Sequence, residues 1–373
     1  MSCLYISGGR QRKLLLRKED EWNLYEAALI LRLDTSSGAV ETCAEYRTPP
    51  GARASANSSI LFKSGFLTSA ELYTCTSTEV IIFSLPDFHK VGYISLPCFN
   101  DLHHVRPLSD GTLAAADTGL DMVVRFSRLG ELVSACSVLR EAAWSRFSPN
   151  IDYRRVESTK PHKSHPNFVF ELDGQVWVTR FRQRDAVCLS DRTKRIRIAL
   201  EGPHDGVLHG NHIYFTTVDG KVVIVDQKSL QLDRVIELQE IDNKNAILGW
   251  CRGLLPIDER YVWVGFTRIR KTQFKENVLW VKNVVRPGMS EKPTHIALYD
   301  ILKRKCLQEI DLEAHGLNIV FSIFPASGVA GFDAVSETET QKTTPTTKPR
   351  WLPVGDREKP EFSNDNRLPR RCP

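Results

Sequence analysis

Short apolar runs separated by polar turns fill most of this chain, and they come in groups of four. The third group shows the plan. An opening run, His103-His104-Val105-Arg106-Pro107-Leu108, ends at Ser109-Asp110-Gly111 and is followed by TLAAAD, MVVRFSRLG and ELVSACSV. Runs of about four to eight strand-forming residues bounded by turn residues predict β-strands. Asp-Gly between the first two predicts a hairpin, because both central positions of a type I′ turn need positive φ. The fourth group repeats the plan with HPNFVFELDG, QVWVTRF, AVCLSD and RIRIAL, and the fifth with HDGVLHGN, HIYFTTVDG, VVIVDQ and RVIELQ. The sixth reads CRGLLPID, RYVWVGF, THIALYD and CLQEIDL; a second group, SSILFKSG, LYTCTS, EVIIFSL and VGYISLP, is weaker. Repeats of about 40 to 50 residues with four short strands each predict a β-propeller.

The remaining pieces close the ring. CLYISGG, ALILRLD and AVETCAEYR at the start make only three strands, while HGLNIVFSIF near the end is an inner-type strand with no followers. Joining them completes a blade from both chain ends and removes the open sheet edge of an unclosed array. The expected architecture is therefore all-β, a six-bladed propeller over residues 1–331. The connection from 137 to 164 has too many charges and prolines to be a seventh blade. From 332 to 373 threonine, proline and charge dominate, which predicts a disordered tail. Within the blade-six insertion, Phe274, Val278, Val281 and Val285 fall at helical spacing and Pro287-Gly288 stops the run, which predicts a short amphipathic helix.

Composition adds little to this picture. Of 373 residues, 42% are hydrophobic and 25% charged, with a formal net charge of +5, all ordinary for a globular chain. The first residues lack the apolar core of a secretory signal, and no run approaches a membrane span, so the expected location is cytoplasmic. Nine cysteines, several alone within apolar strands (Cys75, Cys136, Cys188, Cys306), read as reduced core thiols. CxxC, HExxH, GxxxxGK[ST] and GxSxG are all missing, so zinc, P-loop and hydrolase-elbow chemistry has no sequence support.

Candidate chemistry sits at the heads of the inner strands: Asn57-Ser58, His103-His104, His165-Pro166-Asn167, His204-Asp205-Gly206, Cys251-Arg252-Gly253 and His315-Gly316-Leu317-Asn318. Inner strands of a propeller start at one face, so these heads ring the mouth of the central channel. The expected ring is Asn57 or Ser58, His104, Asn167, Asp205, Arg252 and Asn318, with His103, His204, His165 and His315 just outside it. Desolvating such groups costs about 1 to 3 kcal/mol for each one left unsatisfied, so either mutual bonds and water or a ligand must offset it. As catalytic groups we take His104 or His204 as acid or base, with Asp205 orienting. As ligand contacts we take Asn57, His103, His165, Asn167, Arg252, His315 and Asn318, joined by Arg180 and Arg268 from loops, with Arg252 gripping a carboxylate or phosphate.

A divalent metal on the axis is an alternative. Histidines suit a transition metal, and Asn167, Asp205 and Asn318 offer oxygens to Ca²⁺, while Arg252 opposes both unless Asp205 neutralises it. Base-rich loops share the mouth face: Arg10, Arg12, Lys13, Arg17 and Lys18; Arg146, Arg154, Arg155, Lys160 and Lys163; Arg180, Arg182 and Arg184; and Arg268, Arg270, Lys271, Lys275, Lys282 and Arg286. Together they predict a funnel for anions. Aromatics near them (Trp22, Phe181, Phe274, Trp280) are sparse and no RNA-binding signature occurs, so a nucleic-acid partner is disfavoured.

The inner strands, Asp-Gly turns and two-ended closure resemble the six-bladed β-propeller superfamily of the senescence-marker-protein/gluconolactonase, strictosidine-synthase-like and NHL-repeat groups. The resemblance spans residues 1–325. Lactonases of that group hold one Ca²⁺ on the axis through a glutamate, asparagines and an aspartate; Asn167 and Asp205 match, and no inner-strand head here carries the glutamate. The histidine-headed strands look more like a separate family of bacterial propellers without assigned activity. The expected function is binding or transformation of a small anionic metabolite, as a hydrolase or lyase where there is turnover. A protein-interaction scaffold without catalysis and a metal-dependent, lactonase-like hydrolase are the alternatives.

Overall fold

Residues 3–12, 25–241, 246–269 and 289–326 are described by a computed structural model of the chain. They form six four-stranded antiparallel sheets. Blade one takes its innermost strand, Ile319–Pro325, from the far end of the chain and continues through Cys3–Gln11, Tyr25–Asp34 and Val40–Tyr46. Blade two holds Phe66–Leu67, Glu71–Cys75, Val80–Ser84 and Lys90–Ile94, and blade three Leu102–Pro107, Leu113–Asp117, Met122–Phe126 and Leu132–Ser137. Blade four runs from Pro166–Leu172 through Gln175–Arg180 and Asp185–Cys188 to Arg195–Arg197. Pro203–His209 opens blade five, followed by His212–Thr217, Lys221–Asp226 and Leu232–Glu237; Trp250–Pro256 opens blade six, followed by Tyr261–Thr267, His295–Asp300 and Lys305–Asp311. The six-bladed propeller closed by both chain ends is the architecture the repeats predict. The tail at 332–373 and the helix expected over 274–285 lie outside the described residues.

Burial explains why middle strands read as unbroken apolar runs. Leu113–Asp117 is buried throughout, because neighbouring blades cover both its faces, whereas the outermost strand Lys305–Asp311 alternates exposed and half-buried positions. One apolar core fills each gap between neighbouring blades. The gap between blades three and four is packed from small residues, Ala114, Ala116, Val123, Val169 and Val178.

Near the axis, hydroxyls on or next to second strands bridge four of the six gaps between blades. Ser7 Oγ donates to the Lys63 carbonyl (3.3 Å), Thr118 to that of Pro166, and Thr179 to that of Asp205 (2.7 Å). Thr267 Oγ1 accepts the Val320 N–H (3.1 Å) across the closing gap. These bonds satisfy backbone groups at Lys63, Pro166, Asp205 and Val320, near the starts of four innermost strands.

Candidate functional site

Innermost strands do not run regularly through their heads. Pairing to the second strand breaks register between Leu102 and His104, Pro166 and Phe168, His204 and Val207, and Cys251 and Leu254. Such bulges re-aim side chains. They coincide with left-handed backbone at Asp101 (φ 53°), His165 (φ 58°) and Asp205 (φ 63°), a conformation that costs a non-glycine residue on the order of 1 kcal/mol or more. After Arg252 the same need is met by Gly253 (φ 82°), where a Cβ would crowd the Phe321 carbonyl at 3.1 Å.

The result is a collar of planar side chains. Phe321 and His103 lie with ring centres 6.2 Å apart, His103 and His165 4.8 Å, His165 and Phe181 5.2 Å, and Phe181 and His204 5.5 Å. Arg252 closes the circle, its guanidinium carbon 3.8 Å from the Phe321 ring centre. Blade two adds Lys63, only 3% exposed, whose ammonium meets the Asp101 carboxylate at 2.5 Å.

Hydrogen bonds set the proton positions in this collar. Thr159 Oγ1 donates to the Gly119 carbonyl at 2.5 Å, so toward His162 Nε2 (3.4 Å) it is the acceptor. His162 then carries its lone pair on Nδ1 and takes the Nδ1 proton of His165 across 3.2 Å, which leaves His165 Nε2 as a bare acceptor. His103 Nδ1 donates to the Asp101 carbonyl at 2.9 Å, leaving its Nε2 in the same condition. Burial holds the imidazoles neutral: His103 is depressed well below the usual range with Lys63 adding to the effect, and His204 likewise with Arg252 adding. His165 is pushed down to about 3, again chiefly by burial. The Asp101 carboxyl, which burial alone would raise, is drawn far below the usual range chiefly by the Lys63 ammonium.

Arg252 is the group without compensation. Its Nε is buried with no hydrogen-bond partner, and among the described residues no carboxylate forms an ion pair with it. Burial lowers the guanidinium to about 10, so it remains a cation at neutral pH. Asp205 has the opposite problem: burial raises its carboxyl to about 6, against bonds from Thr216 Oγ1 (2.5 Å) and the Gly253 N–H (3.2 Å).

A raised folded-state pKa makes an acid favour the folded state at low pH and oppose it once ionised, so the Asp205 contribution is lost as pH rises from about 4 to about 6. Asp205→Asn keeps an oxygen for Thr216 and Gly253 without the charge. The expected result is a variant whose stability relative to wild type improves by about 2 kcal/mol between pH 4 and pH 7.5. Urea unfolding at the two pH values measures it; a constant difference would show that Asp205 titrates normally in the fold.

Several expected site residues lie elsewhere. His104 is fully buried: Nε2 donates to the Gly65 carbonyl (3.1 Å), Nδ1 accepts the Val169 N–H (3.2 Å), and the ring stacks on Phe168 at 3.8 Å. With both nitrogens committed to backbone it ties blades two, three and four together, a structural position rather than the catalytic one expected. Asn167 donates to the Pro203 carbonyl at 2.8 Å, joining blades four and five. Arg180 makes paired bonds to Asp185 (2.9 and 2.6 Å) and a third to the Val138 carbonyl (2.7 Å), leaving little for a ligand. Arg268 pairs with Glu313 at 2.9 Å. Asn318 accepts the Gln11 N–H at 2.8 Å, while His315, at the end of the 3-10 helix Glu313–His315, and Asn57, in a turn, are exposed. Blade two meets the axis at Lys63 and Ser64 instead, where Ser64 bridges to His104.

The described base-rich loops are largely paired. Arg10 bonds Glu26 and Glu45, Arg146 bonds Asp121 and Glu141, Arg154 bonds Asp152, and Arg184 bonds Glu201. Lys13, Arg17, Lys18, Arg270, Lys271, Lys275, Lys282 and Arg286 lie outside the described residues. Among the described residues no three His, Cys, Asp or Glu side chains are grouped to hold a metal. Calcium does not fit either: Asn167 Oδ1 is one orphaned buried oxygen, Asp205 Oδ2 is committed to blades five and six, and Arg252 faces the same space. The eight described cysteines form no disulfide, and no described helix is long and apolar enough to cross a membrane.

No protein-family model matches the chain, and no curated protein matches it. Among solved structures, a Bacteroides caccae protein of unknown function is similar over 87% of this chain and 98% of its own, with 13% identity and a TM-score of 0.55. A Bacteroides fragilis protein described as a "putative 6-phosphogluconolactonase" is similar over 83% of this chain and 81% of its own, with 10% identity and a TM-score of 0.46. At such identity the likeness extends to the fold alone, and the fold is a six-bladed β-propeller.

Proposed function

We propose that the collar binds a small hydroxylated organic anion, with Arg252 taking its carboxylate or phosphoryl group. The observation that carries this reading is the unpaired, half-buried guanidinium set over the Phe321 ring, with its Nε buried and without a hydrogen-bond partner. A guanidinium packed over an aromatic ring keeps N–H groups of its fork for a bidentate anion, and a partly desolvated cation gains from a counter-charge. His103 and His165 support the hydroxylated character of the ligand, since in both Nδ1 donates, which leaves Nε2 unprotonated, and such atoms accept O–H donors. His165, fixed in its tautomer by His162 and held at about 3 by burial, offers a bound hydroxyl a hydrogen-bond acceptor rather than a base, and His204 stands on the other side of Phe181.

Arg252→Met keeps an unbranched side chain over Phe321 and removes the charge. The expected outcome is opposite in two measurements. Calorimetric titration with gluconate, glycerate, 3-phosphoglycerate and inorganic phosphate, with glucose as the uncharged control, should find a hydroxylated anion that binds wild type and is weakened about 10- to 100-fold in the variant. The ligand-free variant should be as stable as wild type or about 1 kcal/mol more stable, because an unpaired, half-buried charge has gone. Unchanged binding, or binding lost together with stability, would count against the assignment.

A further inference from the structure

We infer that the collar admits hydroxy acids and rejects the corresponding oxo acids, and that His162, bonded to His165, is the positioning residue that sets this preference through it. The preference rests on the collar reading above and narrows it to one functional group. Arg252 brings N–H groups to the anionic end of the ligand, whereas His103 and His165 bring only lone pairs to the rest of it. A ligand hydroxyl has a proton to give those nitrogens; a ligand carbonyl sets lone pair against lone pair. Sites built to bond a hydroxyl reject an analogue that lacks it by large factors, because the partner in the site is then left unpaired.

The direction of the protons is fixed away from the collar. Asn100 is buried and donates from Nδ2 to the Tyr153 and Val156 carbonyls, each at 2.8 Å, so the atom it turns to Thr159 at 3.3 Å is Oδ1. The Gly119 carbonyl meets the same Thr159 hydroxyl at 2.5 Å. Both oxygens only accept, so Thr159 gives its single proton to them and faces His162 Nε2 (3.4 Å) with a lone pair. His162 therefore carries its proton on Nε2 and accepts at Nδ1, and His165 donates from Nδ1 across 3.2 Å. Position is set separately: the Asp121 carboxylate accepts the N–H groups of Lys163 (2.8 Å), Ser164 (2.9 Å) and His165 (2.8 Å), which pins the backbone that carries the ring. His103 reaches the same proton state by its own route, because the Asp101 carbonyl can only accept from its Nδ1. Burial keeps both rings neutral, so neither Nε2 gains a proton at neutral pH.

Nitrogen NMR of the full-length, ligand-free chain labelled with ¹⁵N-histidine reads the tautomers at pH 7.5. His165 should show a protonated Nδ1 and a bare Nε2, and His162 the reverse. Calorimetric titration with lactate against pyruvate, and with glycerate against hydroxypyruvate, should find the hydroxy acid at least 100-fold tighter in each pair that binds. His162→Leu removes the acceptor and lets the His165 proton move to Nε2. In that variant both His165 tautomers should be seen, and the ratio between the two acids should fall by 10-fold or more; a merely structural role for His162 would weaken both acids alike. The inference is overturned if wild-type His165 carries its proton on Nε2, if the oxo acid binds as well as the hydroxy acid, or if a folded His162→Leu keeps the wild-type ratio. Should His162→Leu fail to fold, the wild-type tautomers and the wild-type ratio decide. If no acid of either pair binds while the tautomers are as expected, the collar reading itself has failed, and the preference built on it falls with it.

Discussion

Acidification from pH 7 to pH 5 is expected to destabilise the protein by about 5 kcal/mol, enough to unfold it or bring it close. Four histidines carry the effect. His103, His104 and His204 are depressed well below the usual range, and His165 to about 3, in each case first by burial. An unfolded chain takes up protons on these side chains below about pH 6.5, whereas the folded one does not. Their stabilising contribution is complete above that pH and is lost as the pH falls toward the folded-state values. At pH 5 each costs about 2 kcal/mol relative to pH 7, or about 8 together, from which two buried carboxyls of opposite sign, Asp205 and Asp117, return about 1 and about 2. Total stabilities of about 5 to 15 kcal/mol leave little after such a loss. Urea midpoints at pH 7 and pH 5, together with proton uptake on unfolding at pH 5, measure the effect; about two protons should enter, four on the histidines less those that Asp205 and Asp117 release. A midpoint that does not move would mean that these imidazoles titrate freely, and the closed collar would have to be given up.

Proton uptake of this kind depends on which histidines face the axis, and that was the part least legible in the sequence. Blade boundaries could be read because each strand ends where a turn residue interrupts an apolar run, and the orphan strand Ile319–Pro325 announced a closing partner at the other chain end. Facing could not. Alternation with a period of two assigns the axial position by counting from the turn, and the bulge between Leu102 and His104 shifts that count by one. His103 accordingly takes the collar position and His104 the gap between blades. Arg252 was legible because a cation beside Gly253 has few other places to go in an apolar run. Lys63 was not: in SSILFKSG a lone lysine reads as an outward residue, and only the fold brings Asp101 to it from the next blade. The base-rich loops failed for the same reason. Sequence shows their sign, while the acids that neutralise them arrive from distant strands, as Glu45 does for Arg10 and Asp121 for Arg146.

His104→Leu is expected to be the most damaging single substitution near the axis. Leucine approximates the volume of the imidazole and suits an apolar surrounding, so on burial alone the change would be mild. What it removes is the pair of bonds to the Gly65 carbonyl and the Val169 N–H, two backbone groups buried between blades that meet no strand ladder partner there. Each buried group left unsatisfied costs about 1 to 3 kcal/mol, and loss of the stack on Phe168 adds to this, so about 4 kcal/mol is expected at pH 7.5. His204→Leu supplies the contrast. Its ring is as deeply set but makes no hydrogen bond to described residues, so the same exchange should cost less than about 1 kcal/mol. His104→Gln, which can still reach one of the two backbone groups, should fall between them. Urea unfolding of the three variants orders them directly. If His104→Leu and His204→Leu proved equally mild, the ring at 104 would be filling space rather than holding three blades in register, and the collar above it would need another foundation.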